Sequence, residues 1–205
     1  MQIAIIGTGN VGGNLATKWA ASGHTIYLGV NDTSDFKGRE LLKNRNTSVH
    51  RIKEAVKKAE IILVAVPATA VVAVVRLMGD TTGKIIIDAM NVVMGRGPEG
   101  YAHTTDAILA NTQTRDVVKC FNTTGFNNMN DPVYGDTRID MFVAGDSEKG
   151  KAVAQQLAAD AGFGACYAVG GNDRFELMEQ FAFFWINLAM MQGLGREIGF
   201  KLLKR

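Results

Sequence analysis

Gln2-Ile3-Ala4-Ile5-Ile6-Gly7-Thr8-Gly9-Asn10-Val11-Gly12 decides the fold of this chain. The run Ile3 to Ile6 is apolar on both faces, as a strand inside a parallel sheet must be. After the glycines the apolar residues fall at Val11, Leu15 and Trp19, one stripe of a helix. Strand, turn and helix in that order give the Gly-x-Gly-x-x-Gly pattern its meaning. Gly7 permits a sharp turn, Gly9 lets the backbone reach a pyrophosphate, and Gly12 lets the helix pack closely on the sheet. The amides at the helix start then hold the anion, so a dinucleotide is the expected ligand.

Outward from this unit, Gly23 ends the first helix and Thr25–Leu28 reads as a second strand stopped by Gly29, followed by polar residues without a clear assignment. Lys53–Glu60 predicts a short amphipathic helix, and Ile61–Val66 a buried strand cut by Pro67. A helix reaches Met78, and strands are expected at Lys84–Asp88, Asp116–Phe121, Met141–Ala144 and Cys166–Val169. Asp146-Ser147-Glu148 opens another helix that Gly162 closes, whereas Asn122 to Asp136 reads as a functional or connecting loop. Strands alternating with helices imply a Rossmann-type, doubly wound α/β fold, its mostly parallel sheet covered by helices on both faces. Residues 1–170 are expected to form the nucleotide-binding domain and 171–205 a C-terminal helical segment. Phe175 to Met191 is apolar nearly all round, which predicts burial as a roof over the substrate site and against a second subunit, a homodimer.

Composition narrows the function. The 205 residues are 47% apolar, which excludes a disordered chain. Lys plus Arg number 22 against 20 Asp plus Glu, with no basic block, so neither nucleic acid nor a membrane is an expected partner. Cys120 and Cys166 form no Cys-x-x-Cys pair, and the N-terminus lacks a basic signal region, so a reducing, cytoplasmic setting is expected. Ile61 to Val75 is interrupted by Pro67 and too short to span a membrane. His24, His50 and His103 are too scattered for a metal site, and no metal is expected. His24, before a strand, reads as a packing residue, and Asp88 as a carboxylate accepting backbone amides.

The cofactor's ribose end falls at Gly29-Val30-Asn31-Asp32. Asp32 stands near the offset of a carboxylate that binds the NAD ribose, yet Lys37 and Arg39 follow and could reach a 2′-phosphate, which leaves the two cofactors even.

Almost the whole chain resembles the NADP-dependent coenzyme F-420 oxidoreductases. The residues that carry the resemblance are Ile5-Ile6-Gly7-Thr8-Gly9-Asn10-Val11-Gly12, Gly23-His24, Val66-Pro67, Asp88-Ala89-Met90-Asn91, Val118-Lys119-Cys120-Phe121-Asn122-Thr123 and Gly193-Leu194-Gly195-Arg196-Glu197-Ile198-Gly199. The cytosolic domain of STEAP metalloreductases is similar through the Phe-Asn-Thr segment. The resemblance implies NADP(H), with NAD(H) still open, its pyrophosphate on Gly7, Thr8, Gly9, Asn10 and Val11. Asn31 falls at the ribose end, where the family usually has Ser-Arg and this chain has Val30-Asn31. The nicotinamide side is implied at Val66, Pro67, Ala89, Asn91, Asn122 and Thr123, positions that also fall at or just past predicted strand ends.

The implied activity is hydride transfer between NADP(H) and a flat acceptor such as the deazaflavin coenzyme F-420 or a flavin. Proximity would carry such a reaction, and no catalytic residue is named. The alternatives are a reductase of a small imine or keto substrate, which lacks an evident proton donor at a strand end, and a non-catalytic NADP(H)-sensing regulator.

Overall fold

A computed structural model describes residues 1–205. In chain order the elements are β1 (Gln2–Ile6), α1 (Asn10–Ala21), β2 (Thr25–Val30), β3 (Thr47–Arg51), α2 (Ile52–Lys58), β4 (Ile61–Val64), α3 (Val71–Arg76), β5 (Ile85–Asp88), α4 (Thr104–Asn111), β6 (Val117–Cys120), α5 (Phe126–Asn130), β7 (Val133–Tyr134), β8 (Thr137–Arg138), β9 (Met141–Ala144), α6 (Glu148–Asp160), β10 (Cys166–Ala168) and α7 (Phe175–Ile186). Eight strands form one sheet in the order β10-β9-β6-β5-β4-β1-β2-β3, and β7-β8 is a separate hairpin. The six from β3 to β6 run parallel, a Rossmann arrangement. β9 pairs antiparallel with β6, and β10 parallel with β9.

Strand alternation divides the core between two faces. Ile3, Ile5, Leu63, Ile87 and Val118 pack with Leu15 and Trp19 of α1 and Leu157 of α6. Ala4, Ile6, Ile62, Val64 and Ile86 pack with Val56 of α2, Val75 of α3 and Ile108 of α4. Trp19 ties its layer together: its indole nitrogen donates to the Leu157 carbonyl (2.8 Å), and its ring meets Phe121 edge-on at 5.5 Å.

Several expectations change. β3 lies in the polar stretch left unassigned, because as an edge strand it carries no run of buried residues. β2 continues through Gly29 to Val30, because hydrogen bonding to β1 and β3 outweighs the glycine. The Asn122–Asp136 loop contains α5 and the first strand of the hairpin. The C-terminal helix is only half covered: Phe175, Met178, Ala182 and Trp185 are buried, but Leu177 and Phe184 remain 50% exposed. Burial on all sides therefore fails for the single chain, since the sheet edge covers one face of α7. Residues after α7 fold back on that edge, where Asp140 accepts from Lys201 Nζ (2.7 Å) and the Leu202 amide (2.9 Å).

Candidate functional site

The glycine turn has the shape a phosphate cradle needs. Gly7 has φ +106°, and a Cβ there would stand 2.3 Å from the Ala65 carbonyl oxygen, so only glycine fits. A Cβ on Gly12 would lie 2.0 Å from the Gly7 oxygen. Gly9 differs, because a Cβ there would meet nothing within 4 Å. The space in front of Gly9 is open, α1 begins beside it, and that helix start has no side-chain cap and no acidic residue in its first turn. Unpaired amides facing open space bind anions, so this turn fits a pyrophosphate.

One cavity of about 310 Å³ opens beside the turn, lined among others by Gly7, Thr8, Asn31, Asp32, Asp35 and Val66. Ser34 donates to Asp32 Oδ1 through its hydroxyl (2.7 Å) and its amide (2.8 Å), and these bonds hold the carboxyl below its usual range. Lys37 and Arg39 do not line the cavity. The Lys37 carbonyl accepts from the Thr8 hydroxyl, and Arg39 donates to the Ser34 carbonyl at 2.8 Å. Arg51, at the end of β3, donates to the Asn31 carbonyl at 3.5 Å and is a cation at this rim that sequence reasoning missed.

A second cavity, of about 350 Å³, is lined by Pro67, Ala68, Thr69, Asn91, Val93, Met94 and Arg96. Beside it the ends of β5 and β6 are stitched by amides. Asn91 Nδ2 donates to the Asn122 carbonyl (2.8 Å), and Asn122 Nδ2 donates to Asn91 Oδ1 (2.9 Å) and to the Met178 carbonyl in α7 (3.3 Å). Asn122 Oδ1 is buried and has no partner. A buried acceptor without a donor is costly, and a carboxamide N–H would satisfy it. Phe121, just before Asn122, has φ +62°, rare for a bulky side chain and a sign that packing against Trp19 and Phe163 fixes the turn. Ala89 is buried after β5. Thr123 points elsewhere, its hydroxyl toward Met141 Sδ at 3.6 Å.

Below the asparagine pair lies a charged cluster that the sequence reading did not assemble. Lys119 is completely buried; its Nζ lies 2.9 Å from Asp88 Oδ2, 2.9 Å from the Met90 carbonyl and 3.1 Å from Thr104 Oγ1. Those contacts use the ammonium's three hydrogens. Glu179 Oε1 of α7, 3.0 Å away, thus receives charge but no hydrogen bond. Its Oε2 lies 3.4 Å from His103 Nδ1, also unpartnered. Asp88 accepts from the Met90 amide and both Thr104 and Thr105 hydroxyls, so it does take a backbone amide as expected, together with the lysine. Lys119 and Asp88 face each other across paired strands, Asp88 at the carboxyl end of β5 and Lys119 one residue before the end of β6. Glu179 follows Met178 in the sequence, but only the tertiary path of α7 brings its carboxylate here.

His24 lies away from this edge, bonded to Asp160 at 2.9 Å. His50 pairs with Ser48 Oγ on β3 at 2.9 Å, and burial pushes its imidazole below its usual value. Cys120 is buried, which pushes its thiol up and leaves it unsuited to nucleophilic work. No helix is long and apolar enough to cross a membrane.

Residues 2–92 match the family described as NADP oxidoreductase, coenzyme F420-dependent, the one the sequence resembles. A candidate F420-dependent NADP-reductase from Arthrobacter sp. FB24 superposes with a TM-score of 0.83 at 23% identity, covering 100% of both chains. The imine reductase of Streptomyces aurantiacus gives 0.70 at 15% identity over 94% of this chain and 64% of its own length. A reductive aminase from Aspergillus terreus, solved with NADPH and ethyl levulinate, gives 0.66 at 16% over 94% and 62%. At these identities the structures share the fold. No curated protein matches the sequence.

Proposed function

We propose that this chain is an NADP-dependent oxidoreductase that passes a hydride between the nicotinamide and a flat acceptor such as a deazaflavin or a flavin. The observation that carries the reading is the open cradle before Gly9 at the uncapped start of α1. The family match over residues 2–92 supports the choice of NADP(H). Gly7, Thr8, Gly9, Asn10 and Val11 hold the pyrophosphate. Asn31 flanks the ribose end, where Arg51 reaches the Asn31 carbonyl and Arg39 the Ser34 carbonyl, and Val66, Pro67, Ala89 and Asn91 flank the nicotinamide. Asn122 Oδ1 takes the carboxamide hydrogen; Thr123 supports the turn rather than the ligand. The cofactor supplies the hydride, and the protein's part is to orient the ring and exclude water.

We also assign residues 1–170 to nucleotide binding and 171–205 to a segment that completes the acceptor side, in a homodimer that covers the exposed face of α7. Reduction of a small imine or keto group is the second reading, favoured by the Lys119–Glu179–His103 cluster, because that chemistry needs a proton.

The test is a fluorescence titration with NADPH of the unaltered chain and of Gly9→Ala. Alanine fits the φ of −77° and meets no atom, so the fold and melting temperature should hold while a methyl group blocks the pyrophosphate. At least a tenfold loss of affinity is expected, about the 1.4 kcal/mol that corresponds to one decade. Equal binding by both proteins would remove the cradle from the reading.

A further inference from the structure

The charged cluster under the asparagine pair is built from four elements: Asp88 on β5, His103 and the two threonines at the start of α4, Lys119 on β6 and Glu179 on α7. Buried charge persists where it is paired and hydrogen-bonded, and Asp88 meets both conditions. Glu179 meets only the first. With a neutral imidazole the cluster holds two carboxylates against one ammonium; a proton on His103 balances it and gives Glu179 a donor. Access from solvent is graded: the His103 side chain is 19% exposed, Glu179 9%, and Asp88 and Lys119 are fully enclosed. His103 ends the loop whose Asn91, Val93, Met94 and Arg96 wall the second cavity, and Glu179 follows Met178, whose carbonyl holds Asn122.

We propose that His103 and Glu179 form the proton-supplying pair for the acceptor, with Lys119 as the positioning residue that holds Glu179 in place. The inference rests on the oxidoreductase reading. The C4–H bond of the reduced nicotinamide breaks, and its electron pair forms the new bond from that hydrogen to the acceptor, to carbon in a deazaflavin, imine or ketone and to the ring nitrogen N5 in a flavin. The electron pair displaced onto the acceptor's nitrogen or oxygen takes the imidazole proton, and solvent returns a proton to His103. The nicotinamide is oxidised, and the acceptor gains one hydride and one proton. The acceptor class is therefore a conjugated C=N or C=O system, which includes deazaflavins and flavins.

His103→Gln and the isosteric Glu179→Gln test this with NADPH and, as acceptors, a deazaflavin and FMN. Both variants should lose about a hundredfold in kcat, within the range for a positioned acid, with NADPH affinity held within about twofold. In the protein without nucleotide, the ¹⁵N signals of His103 should move in Glu179→Gln while those of His24 and His50 stay. Full turnover in His103→Gln, an affinity loss as large as the kcat loss, or unmoved His103 signals would each overturn the proton role and leave the dinucleotide reading standing. Failure of the unaltered chain to bind NADPH or NADH, or to reduce either acceptor, would overturn both.

Discussion

Lys119→Met probes how much the buried charge cluster matters to the fold. Methionine keeps the length and most of the volume of the lysine stem, so the change removes charge rather than opening a cavity. Asp88 keeps the Met90 amide and two threonine hydroxyls, but Glu179 keeps only the His103 imidazole 3.4 Å from its Oε2. Removing one partner of a buried pair costs about 3–5 kcal/mol. Because two carboxylates lose one shared cation here, the upper half of that range, about 4–5 kcal/mol, is expected. For a chain of this size each kcal/mol lowers Tm by about 2–4 °C, giving a fall of about 8–20 °C in a circular-dichroism melt at neutral pH. Lys119→Met/Glu179→Gln should melt above the single variant, since it removes the orphaned carboxylate, and the double-mutant cycle then measures the coupling. A Lys119→Met melt within about 2 °C of the unaltered chain would refute the argument that this cluster holds a charge in low dielectric.

Asp32→Asn should shift preference toward NADPH over NADH by about fivefold, the Coulomb effect of one charge about 4 Å from a 2′-phosphate in water, as read from paired titrations. His50, whose imidazole is held below its usual value by burial, binds a proton less readily folded than unfolded. Stability should therefore fall as pH drops below about 6.5 toward the lowered folded value, and urea melts of His50→Gln should lack that part of the slope. Thiol titration of the native chain with a disulfide reagent should modify Cys166 well before Cys120, which becomes reactive only in denaturant.

The sheet was legible because its central strands are apolar on both faces and sit between clear stops: Gly7 after β1, Pro67 after β4, Asp88 at the end of β5. β3 was not, because an edge strand lacks that pattern. Residues 104–111 gave no helix signal, since threonines fill the first turn and asparagine the last. The pyrophosphate cradle was readable residue by residue, because all its members are consecutive. The charged cluster was invisible for the opposite reason. Lys119 stands out only as part of a motif, His103 is one of three scattered histidines, and Glu179 is one carboxylate among helical aromatics. Sequence spacing carries no record of a contact made across 60 residues (119 to 179) by the path of one helix. The ribose end stayed even because its cations act through side-chain direction, which places Arg51 at the rim and turns Arg39 to a backbone carbonyl.

The reversal of β9 has a topological consequence. In a wholly parallel sheet every strand climbs toward the ligand-binding edge, so the helix that follows must descend and can offer only its first turn there. With β9 and β10 inverted, β10 delivers the chain to the opposite edge, where Asp146 and the Asn172 backbone and side chain bond to each other beside Ser147 and Asp116. α7 therefore ascends. Phe175 packs low against Ala144, the Met178 carbonyl reaches Asn122, and Trp185 stands over Gly125. One change of strand direction turns the last helix into a post that rises to the site, and lengthening or shortening the β10–α7 connection would slide that post, and Glu179 with it, along the sheet.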